Sequence, residues 1–302
     1  MKKILVIGST TADIIVKVNH LPTTGEDINA LSQEMTIGGC AHNVAGVLRL
    51  FGVPHRLFSP VGTGMYGDFV RRHLTAEGLT DPILTADAPN GCCYCFVEAS
   101  GERTFVCSRG AEYLFRKEWF DRIDCSQICG IYVCGLEIEE ESGDVIIDFL
   151  EKNAEIPVLF APGPRINTID KMRMERLIRL NPSIHLNKDE VCSFTGTDSP
   201  KEGARALYQI TGRPVVVTAG ADGAWYCVDG KPVHSPPAHV PAVVDTIGAG
   251  DAHCGAFLAC LSKGMEIGEA IKTANRTAAL CVMQKGPMIS RQTFMEAFPS
   301  HC

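Results

Sequence analysis

The 302-residue sequence lacks any cluster of lysine and arginine, and its formal net charge is −7 at neutral pH. Proteins that bind nucleic acid or an anionic membrane surface present basic patches, so neither is expected as a partner. No window has the apolar length that crosses a bilayer. Met1-Lys2-Lys3 leads directly into an apolar strand without the layout of a secretory signal, which predicts a cytoplasmic protein.

Paired CxxC spacing is also missing, although the chain contains 14 cysteines. Most of them lie in apolar runs, where a reduced cysteine behaves as a small hydrophobe. Cys92, Cys93 and Cys95 form the only tight group, with Cys107 further along, and their alternation with aromatic residues is typical of a strand rather than a zinc site. A disulfide framework is not expected in a long chain without a secretory signal.

The loop after the first apolar strand, Gly8-Ser9-Thr10-Thr11, lacks the GxGxxG fingerprint, which argues against a nicotinamide-dependent enzyme. What is present is a regular alternation of short apolar runs with helical stretches. This alternation is typical of βαβ units around a mostly parallel sheet. The predicted strands lie at 3–8, 53–61, 128–134, 156–161, 184–186 and 214–218, and the predicted helices at 43–51, 67–78, 140–153, 169–180 and 199–211.

Two segments, 13–37 and 91–107, break this rhythm by alternating polar and apolar residues. Within the second segment, Gly101-Glu102 is predicted to form a hairpin turn. Paired together, the two segments predict a small sheet that stands off the main domain. Since no disordered linker or repeat is visible, residues 1–302 are expected to form one α/β domain with a β-lid.

The run from Asp245 to Asp251 places three small residues, Gly248, Ala249 and Gly250, directly before an apolar helical pattern. Small residues let the backbone approach a ligand, and the start of a helix attracts anions. Asp251 in this place either caps the helix or accepts a proton from a hydroxyl that attacks a phosphate. The run alone leaves both interpretations open.

Four further segments carry polar residues at the ends of predicted strands or the starts of predicted helices. Ligands bind at such places in open α/β sheets. Each segment alone is also compatible with an ordinary turn, a helix cap or a solvated strand end. The segments are Asp13, Gly38-Gly39 with Asn43, Asn187 to Glu190, and Thr218 to Gly223.

Together these segments resemble, in order and spacing, the ribokinase-like carbohydrate kinases, also called the PfkB family, over nearly the whole chain. The stretch 245–258 fits one family signature closely, and Gly38-Gly39 with Asn43 fits the other. Residues 101–105 and Pro164-Arg165 are similar to a poorly characterised bacterial sugar kinase branch. The resemblance implies a three-layer α/β/α fold with a mostly parallel sheet and a small β-sheet lid, and it explains the missing Walker A pattern.

The resemblance further implies an ATP-dependent kinase that phosphorylates a hydroxymethyl group of a sugar or sugar-like molecule. Asp251 would be the general base, and the amides of Gly248, Ala249 and Gly250 would form the anion hole. Mg²⁺ would be organised by Asn187 and Glu190, largely through water. The other matching positions imply substrate binding by Asp13, Gly38, Gly39, Asn43 and Glu137, and nucleotide binding by Asn187, Thr218, Gly220, Gly223 and Asn275.

Some features of the resemblance leave alternatives. Part of the family uses a monovalent cation, which implies K⁺ near Asp245, Ile247 and Ser290. Glu137 is equally compatible with the start of an exposed acidic run at 139–141, and Arg165 with phosphate binding or an ion pair. Cys40 replaces a lysine of true ribokinases and Thr11 an asparagine, so the resemblance does not identify ribose as the acceptor.

Three functional interpretations follow from the sequence. The first is the sugar kinase. The second is a nucleoside kinase for adenosine-, inosine- or pseudouridine-like acceptors on the same fold, and the third is a sugar-binding regulator without catalysis. Since the edge of a small sheet invites pairing with a copy of itself, a homodimer through the lid is also expected.

Overall fold

The computed structural model describes residues 2–79 and 84–299. In these ranges the strands are numbered along the chain, and all of them are short. They are β1 Lys3–Ile7, β2 Thr11–Lys17, β3 Ser32–Gly38, β4 His55–Phe58, β5 Pro60–Thr63, β6 Leu84–Pro89, β7 Cys92–Val97, β8 Arg103–Ser108, β9 Ile128–Cys134, β10 Val158–Ala161, β11 Ser183–Asn187, β12 Val215–Thr218, β13 Ala224–Val228 and β14 Lys231–Ser235.

The helices follow the same chain order. They are α1 Cys40–Leu50, α2 Gly64–Ala76, α3 Lys117–Phe120, α4 Gly135–Glu139, α5 Gly143–Lys152, α6 Lys171–Arg179, α7 Lys188–Thr195, α8 Pro200–Thr211, α9 Ala249–Ser262, α10 Ile267–Val282 and α11 Arg291–Ala297. No helix within the described ranges is both long and apolar enough to cross a bilayer.

The chain forms two compact units. Among the described residues, the larger unit contains the chain up to Gly8, Cys40–Phe58 and the chain from Phe115 onwards. The smaller unit contains the described residues of Ser9–Gly39 and Ser59–Leu114. The larger unit holds an eight-stranded sheet of order β14-β13-β12-β11-β10-β9-β1-β4. Six of its strands are parallel, and the hairpin β13-β14 adds an antiparallel edge.

The smaller unit holds a four-stranded sheet of order β3-β2-β7-β8 and a short two-stranded sheet, β5-β6. The strands of the four-stranded sheet come from the two segments that alternate polar and apolar residues. The predicted fold class is therefore confirmed: a mostly parallel α/β sheet with helices and a small separate sheet.

The predicted continuous strand at 53–61 is wrong in one respect. The chain forms β4 in the large sheet and then β5 in the smaller unit, with Ser59 between them. Pro60 has no N–H to continue a ladder, so a change of sheet at this point loses no hydrogen bond.

Helix α9 lies in the core of the larger unit because its sequence is apolar on all sides. Its residues from Ala252 to Cys260 are buried, and it packs against α1 and α10. Gly255 permits the close approach to α1, since a Cβ there would lie 2.8 Å from the Cβ of Val47. The core thus holds the start of α9 in a defined place at the carboxyl edge of the sheet.

Candidate active site

The carboxyl ends of the parallel strands bring several predicted residues to one edge of the large sheet. Asn187 ends β11 and Thr218 ends β12, and the two residues are register partners. The Thr218 hydroxyl donates to the Leu186 carbonyl, at 3.3 Å. Ligands of open α/β sheets bind at this edge.

A cavity of about 710 Å³ opens beside the end of β12. Its size is in the range of small-molecule sites, and its wall is mostly apolar with a few polar groups. Thr218, Gly220, Gly223 and Asn275, four of the predicted nucleotide residues, all line it. The remaining lining includes Pro237, His239, Val240, Val243, Thr246, Ala249, Gly250, His253 and Val282.

A second cavity, of about 200 Å³, is lined by the predicted catalytic and metal residues. Asn187, Glu190 and Asp251 share it. Thr218 and Gly250 line both cavities, so the two spaces meet at these residues. Much of the remaining wall is apolar or carries thiols, and it also includes His185; its members include Cys40, Tyr132, Cys134, Leu136 and Cys254.

Asp251 does not cap helix α9. Gly248 is the N-cap residue, with φ +75°, and no side chain caps the helix. Asp251 is instead the third residue of the helix, in its first turn, and its carboxylate accepts a hydrogen bond from Asn43 Nδ2 at 2.8 Å. The interpretation of Asp251 as a helix cap is therefore wrong, and a fixed carboxylate stands beside the first turn of α9.

The predicted anion hole is the turn that starts α9. Amides of the first turn have no acceptor four residues earlier in the helix, so they point out of its end. The Ala249 N–H is partly engaged, since it donates to the Thr246 carbonyl at 3.3 Å. Gly250 lies where both cavities meet.

Asn43 and Glu137, two predicted substrate residues, lie in the larger unit with Asp251. The amide of Asn43 is directed to the Asp251 carboxylate. Glu137 follows β9 in α4 and is completely buried, so its interpretation as part of an exposed acidic run is wrong. Its carboxylate lies against Gly8, where a Cβ would be 3.2 Å from Oε1.

Asp13, Gly38 and Gly39, the other predicted substrate residues, lie in the smaller unit. Asp13 accepts a hydrogen bond from the Thr11 hydroxyl at 2.8 Å. A Cβ at Gly38 would overlap the Asp13 carboxylate, and Gly39 has φ +99° with its Cα beside the Ser9 carbonyl. Both glycines are thus required by close packing around the end of β3.

Asn187 and Glu190 form a capping box at the start of α7. The Asn187 side-chain oxygen accepts a hydrogen bond from the Glu190 backbone N–H at 2.8 Å. The Glu190 carboxylate accepts one from the Asn187 backbone N–H at 2.9 Å. Burial raises the pKa of Glu190, and the bond from the Asn187 amide acts in the opposite direction. The cap explains their spacing, and both side chains still line the smaller cavity.

The residues predicted for K⁺ take part in local hydrogen bonds. Asp245 accepts from the amides of Ile247 and Gly286, at 2.8 and 3.0 Å. The Ile247 carbonyl accepts from the Cys281 thiol at 3.5 Å. Ser290 caps α11 through the Thr293 amide. Arg165, for its part, lies 3.5 Å from Glu139, as an ion pair.

A buried histidine pair was not predicted; His253 lines the larger cavity and His185 the smaller one. His185 Nε2 lies 2.9 Å from His253 Nδ1, and His253 Nε2 lies 3.1 Å from Asn275 Oδ1. The Asn275 amide nitrogen donates to Ser235 and to the carbonyl of Pro236. Because that carbonyl only accepts, the atom facing it must be the Asn275 nitrogen, and Asn275 Oδ1 is left to accept from His253. Donation therefore runs from His185 Nε2 to His253 Nδ1 and from His253 Nε2 to Asn275 Oδ1, which fixes both tautomers.

This chain of bonds connects β11, α9, α10 and the segment after β14. The side-chain amide of Asn275 is therefore hydrogen-bonded within the wall of the larger cavity. A histidine inside the apolar run of α9 is the only sign of it in the sequence, and its partners are 68 and 22 residues away. Sequence distance of this size carries no pairing information, so only the structure shows the network.

The pattern of the pfkB family carbohydrate kinases matches residues 1–293. The chain belongs to this family. It is 29% identical over 296 residues to the uncharacterised sugar kinase YegV of Escherichia coli strain K12, with 94% of this chain and 90% of that one covered. It is 28% identical over 295 residues to the deoxyribokinase of Salmonella typhi, with 95% and 94% covered.

Among solved structures, the pfkB-family fold of this chain is similar to that of a ribokinase from Thermotoga maritima. The TM-score is 0.85 at 24% identity, with 99% of this chain and all of that one covered. The suspected family and the poorly characterised branch are thus confirmed, and the chain is a kinase that transfers phosphate to an alcohol group.

The donor atoms of the candidate site show which metal ion could bind there. No group of three or more histidine, cysteine or acidic side chains in the described ranges forms a metal cage. Glu190 and Asn187 nevertheless suit Mg²⁺, which prefers oxygen, keeps several waters and takes few protein ligands beside phosphates. The donor set therefore fits a magnesium ion held mainly through water and nucleotide.

The buried histidines of this pfkB kinase predict acid sensitivity. Burial lowers the pKa of His253 from 6.5 to about 4, and that of His185 well below its ordinary value. Between pH 6.5 and about pH 4, His253 is protonated in the unfolded chain but neutral in the native protein. The unfolded chain therefore binds more protons, and the free energy of unfolding falls as the pH decreases. At about 1.4 kcal/mol for each pH unit, His253 alone removes about 3 kcal/mol by pH 4 relative to pH 7.

Urea denaturation at several pH values measures this dependence. His253→Gln keeps one donor and one acceptor, so we expect it to fold and to show a flatter slope between pH 6.5 and 4. His239→Gln, at an exposed histidine outside this network, is the matched control. Equal slopes in all three proteins would refute the assignment to His253.

Proposed function

We propose that this kinase transfers the γ-phosphoryl group of ATP to a hydroxymethyl group of a neutral sugar or sugar-like acceptor. The observation that carries the proposal is the place of Asp251. It lines the smaller cavity with Asn187 and Glu190, and its neighbour Gly250 lines both cavities. ATP would occupy the larger cavity, and its transferred phosphate would lie at the start of α9.

In the proposed reaction, Asp251 takes the proton of the acceptor hydroxyl as its oxygen attacks phosphorus. Asn43 holds the carboxylate through the 2.8 Å bond to Oδ2, so that the base does not turn away. The amides of the turn Gly248 to Gly250 stabilise negative charge on the transferred group. Positioning and charge stabilisation account for most of the catalysis of phosphoryl transfer.

A magnesium ion, held by Glu190 and Asn187 through water, would neutralise charge on the phosphates when bound. The lining of the two cavities contains no lysine or arginine within the described ranges. The phosphates therefore depend on backbone amides and on the metal. The K⁺ site near Asp245, Ile247 and Ser290 stays a prediction.

The lining of the smaller cavity also favours an uncharged acceptor. Cys40 takes the place of a cationic side chain of the resembling ribokinases, and it is partly buried in the cavity wall that Cys134 and Asp251 also line. The hydrogen bond with Cys134, burial and the negative charge of Asp251 all raise the pKa of Cys40, so the thiol is neutral. An acceptor that already carries phosphate would find no counter-charge there.

The test is a panel of acceptors with ATP and Mg²⁺, with ADP release as the readout and mass spectrometry of the product. Pentoses, deoxypentoses, ketohexoses, their phosphates and nucleosides make up the panel. We expect turnover of a free sugar and little turnover of any sugar phosphate. Turnover of nucleosides alone would establish the nucleoside kinase instead, and sugar binding without any turnover would establish the regulator.

Three further expectations from the sequence stay predictions. They are closure of the small sheet over the acceptor, a homodimer formed through that sheet, and a cytoplasmic location. Closure would keep water away from the phosphoryl group, because water otherwise competes with the acceptor for it.

A further inference from the structure

Two cysteines face each other across neighbouring strands of the smaller unit. Cys93 in β7 and Cys107 in β8 are register partners, and their Sγ atoms lie 3.2 Å apart. Cys107 is exposed and lies on β8, the edge strand of the four-stranded sheet, whereas Cys93 is partly buried. None of the 13 cysteines within the described residues forms a disulfide.

The backbone places this pair at the closest kind of cross-strand position. The Glu98 amide donates to the Glu102 carbonyl, which marks their pair as hydrogen-bonded. Pairs along an antiparallel ladder alternate, and the register continues without a bulge to Cys93 and Cys107. This pair is therefore non-hydrogen-bonded, with Cα atoms about 4.5 Å apart, which lies within the range of disulfides.

Asp13 lies next to Cys93 in the same row of the sheet. The two residues are register partners of β2 and β7, and register partners point to the same face. The electrostatic influence of Asp13 on the Cys93 thiol agrees with this placement. The row across the sheet is thus Asp13, Cys93 and Cys107.

We propose that Cys93 and Cys107 form a thiol–disulfide site, closed by a small-molecule disulfide such as oxidised glutathione, whose oxidation weakens binding of the acceptor at Asp13. The link to acceptor binding rests on the proposed function. Disulfide formation itself does not depend on it.

The chemistry balances as two thiol–disulfide exchanges. The Cys107 thiolate attacks one sulfur of the small disulfide, forms a mixed disulfide and releases one small thiol. The Cys93 thiolate then attacks the Cys107 sulfur and releases the second small thiol, and each cysteine proton ends on a released thiol. Two protein thiols are oxidised, and one small disulfide is reduced.

The order of attack follows from the surroundings of each sulfur. Burial, the hydrogen bond with Cys107 and the charge of Asp13 raise the pKa of Cys93, so this thiol ionises with difficulty. The exposed Cys107 therefore reacts first with a reagent from solvent. Once Cys107 is in the mixed disulfide, Cys93 is already in contact with its sulfur and needs no strand movement.

Closure changes the surroundings of Asp13 in two ways. The sulfur atoms move from 3.2 Å to about 2.0 Å, which draws the Cys93 side chain toward β8. The Cys93 thiol, whose pKa the charge of Asp13 raises, is also replaced by a disulfide sulfur that carries no proton. We expect KM for the acceptor to rise about 2- to 10-fold, the change that corresponds to one weakened hydrogen bond, with KM for ATP unchanged.

The experiment treats the full-length protein with oxidised glutathione, maps its cysteines by mass spectrometry of proteolytic peptides and measures both KM values before and after. We expect a Cys93–Cys107 disulfide that dithiothreitol reverses. Cys107→Ser prevents it and makes the acceptor KM insensitive to the oxidant. Cys129→Ser removes a different exposed cysteine and behaves like the wild type.

Each other outcome counts against the proposal. Glutathione that stays on Cys107 without closure, or a pair that does not react, would refute the site. A disulfide that forms without any change in the acceptor KM would refute the link to Asp13. If no acceptor is phosphorylated at all, the proposed function fails while the peptide map still decides on the disulfide.

Discussion

Replacing Asp251 with asparagine is expected to reduce kcat by about 10²- to 10⁴-fold, the usual contribution of a general base. Asparagine has nearly the same shape as aspartate but does not take a proton at neutral pH. Because Asp251 is not the cap of α9, its replacement removes no helix-capping bond. We therefore expect KM for ATP and the free energy of unfolding to remain close to the wild-type values.

Initial rates with the acceptor found in the panel, together with urea denaturation, measure both effects. Asp198→Asn removes an exposed carboxylate elsewhere in the larger unit and is the matched control, with wild-type rates expected. Turnover of Asp251→Asn within about threefold of the wild type would contradict the assignment of the base, since such a loss is far below the expected range.

Gly248→Ala is expected to lower kcat by about 10²- to 10³-fold, the effect of losing a donor in an anion hole. Gly248 has φ +75°, and a Cβ there would overlap Pro287. The turn must move to relieve this overlap, and the amides of Ala249 and Gly250 move with it. Displacements of this kind are costly because the donors must fit the transition state closely.

Gly264→Ala is the matched control at the other end of α9. Its φ is +77°, so alanine is similarly strained, but nothing lies within 4 Å of the added Cβ. Both variants are expected to lose about 1–2 kcal/mol of unfolding free energy from the left-handed conformation, whereas only Gly248→Ala loses turnover. Equal kcat values for the two variants would show that the turn before α9 does not hold the transferred group.

Much of the fold was predictable because it depends on local patterns. The apolar runs of β1, β9, β11 and β12 are buried strands, and parallel strands require the intervening helices. The segments 13–37 and 91–107 alternate residues because strands place successive side chains on opposite faces. The error at 53–61 arose because apolar character does not show where a chain changes sheets, although Pro60 offered a hint.

The candidate active site was predictable only as far as its residue types and their order. Asp251, Asn187, Glu190 and Thr218 were named from the sequence, and the structure places them around the smaller cavity. The sequence was equally compatible with Glu137 as a surface residue and as a pocket residue. The structure decided between them, because Glu137 is completely buried. Neighbours in sequence, here the acidic run that follows, do not report the burial of a side chain.

The sequence by itself predicted the family, the fold class and the residues capable of the chemistry. These features depend on composition, periodicity and motif spacing. Tertiary structure alone decided that Asn43 holds the Asp251 carboxylate across 208 residues, that His185 meets His253, and that Cys93 faces Cys107. Each of these contacts depends on distances between elements that packing brings together. The run before α9 places Asp251 next to the predicted anion site, and the packing of α1 against α9 brings Asn43 to its carboxylate.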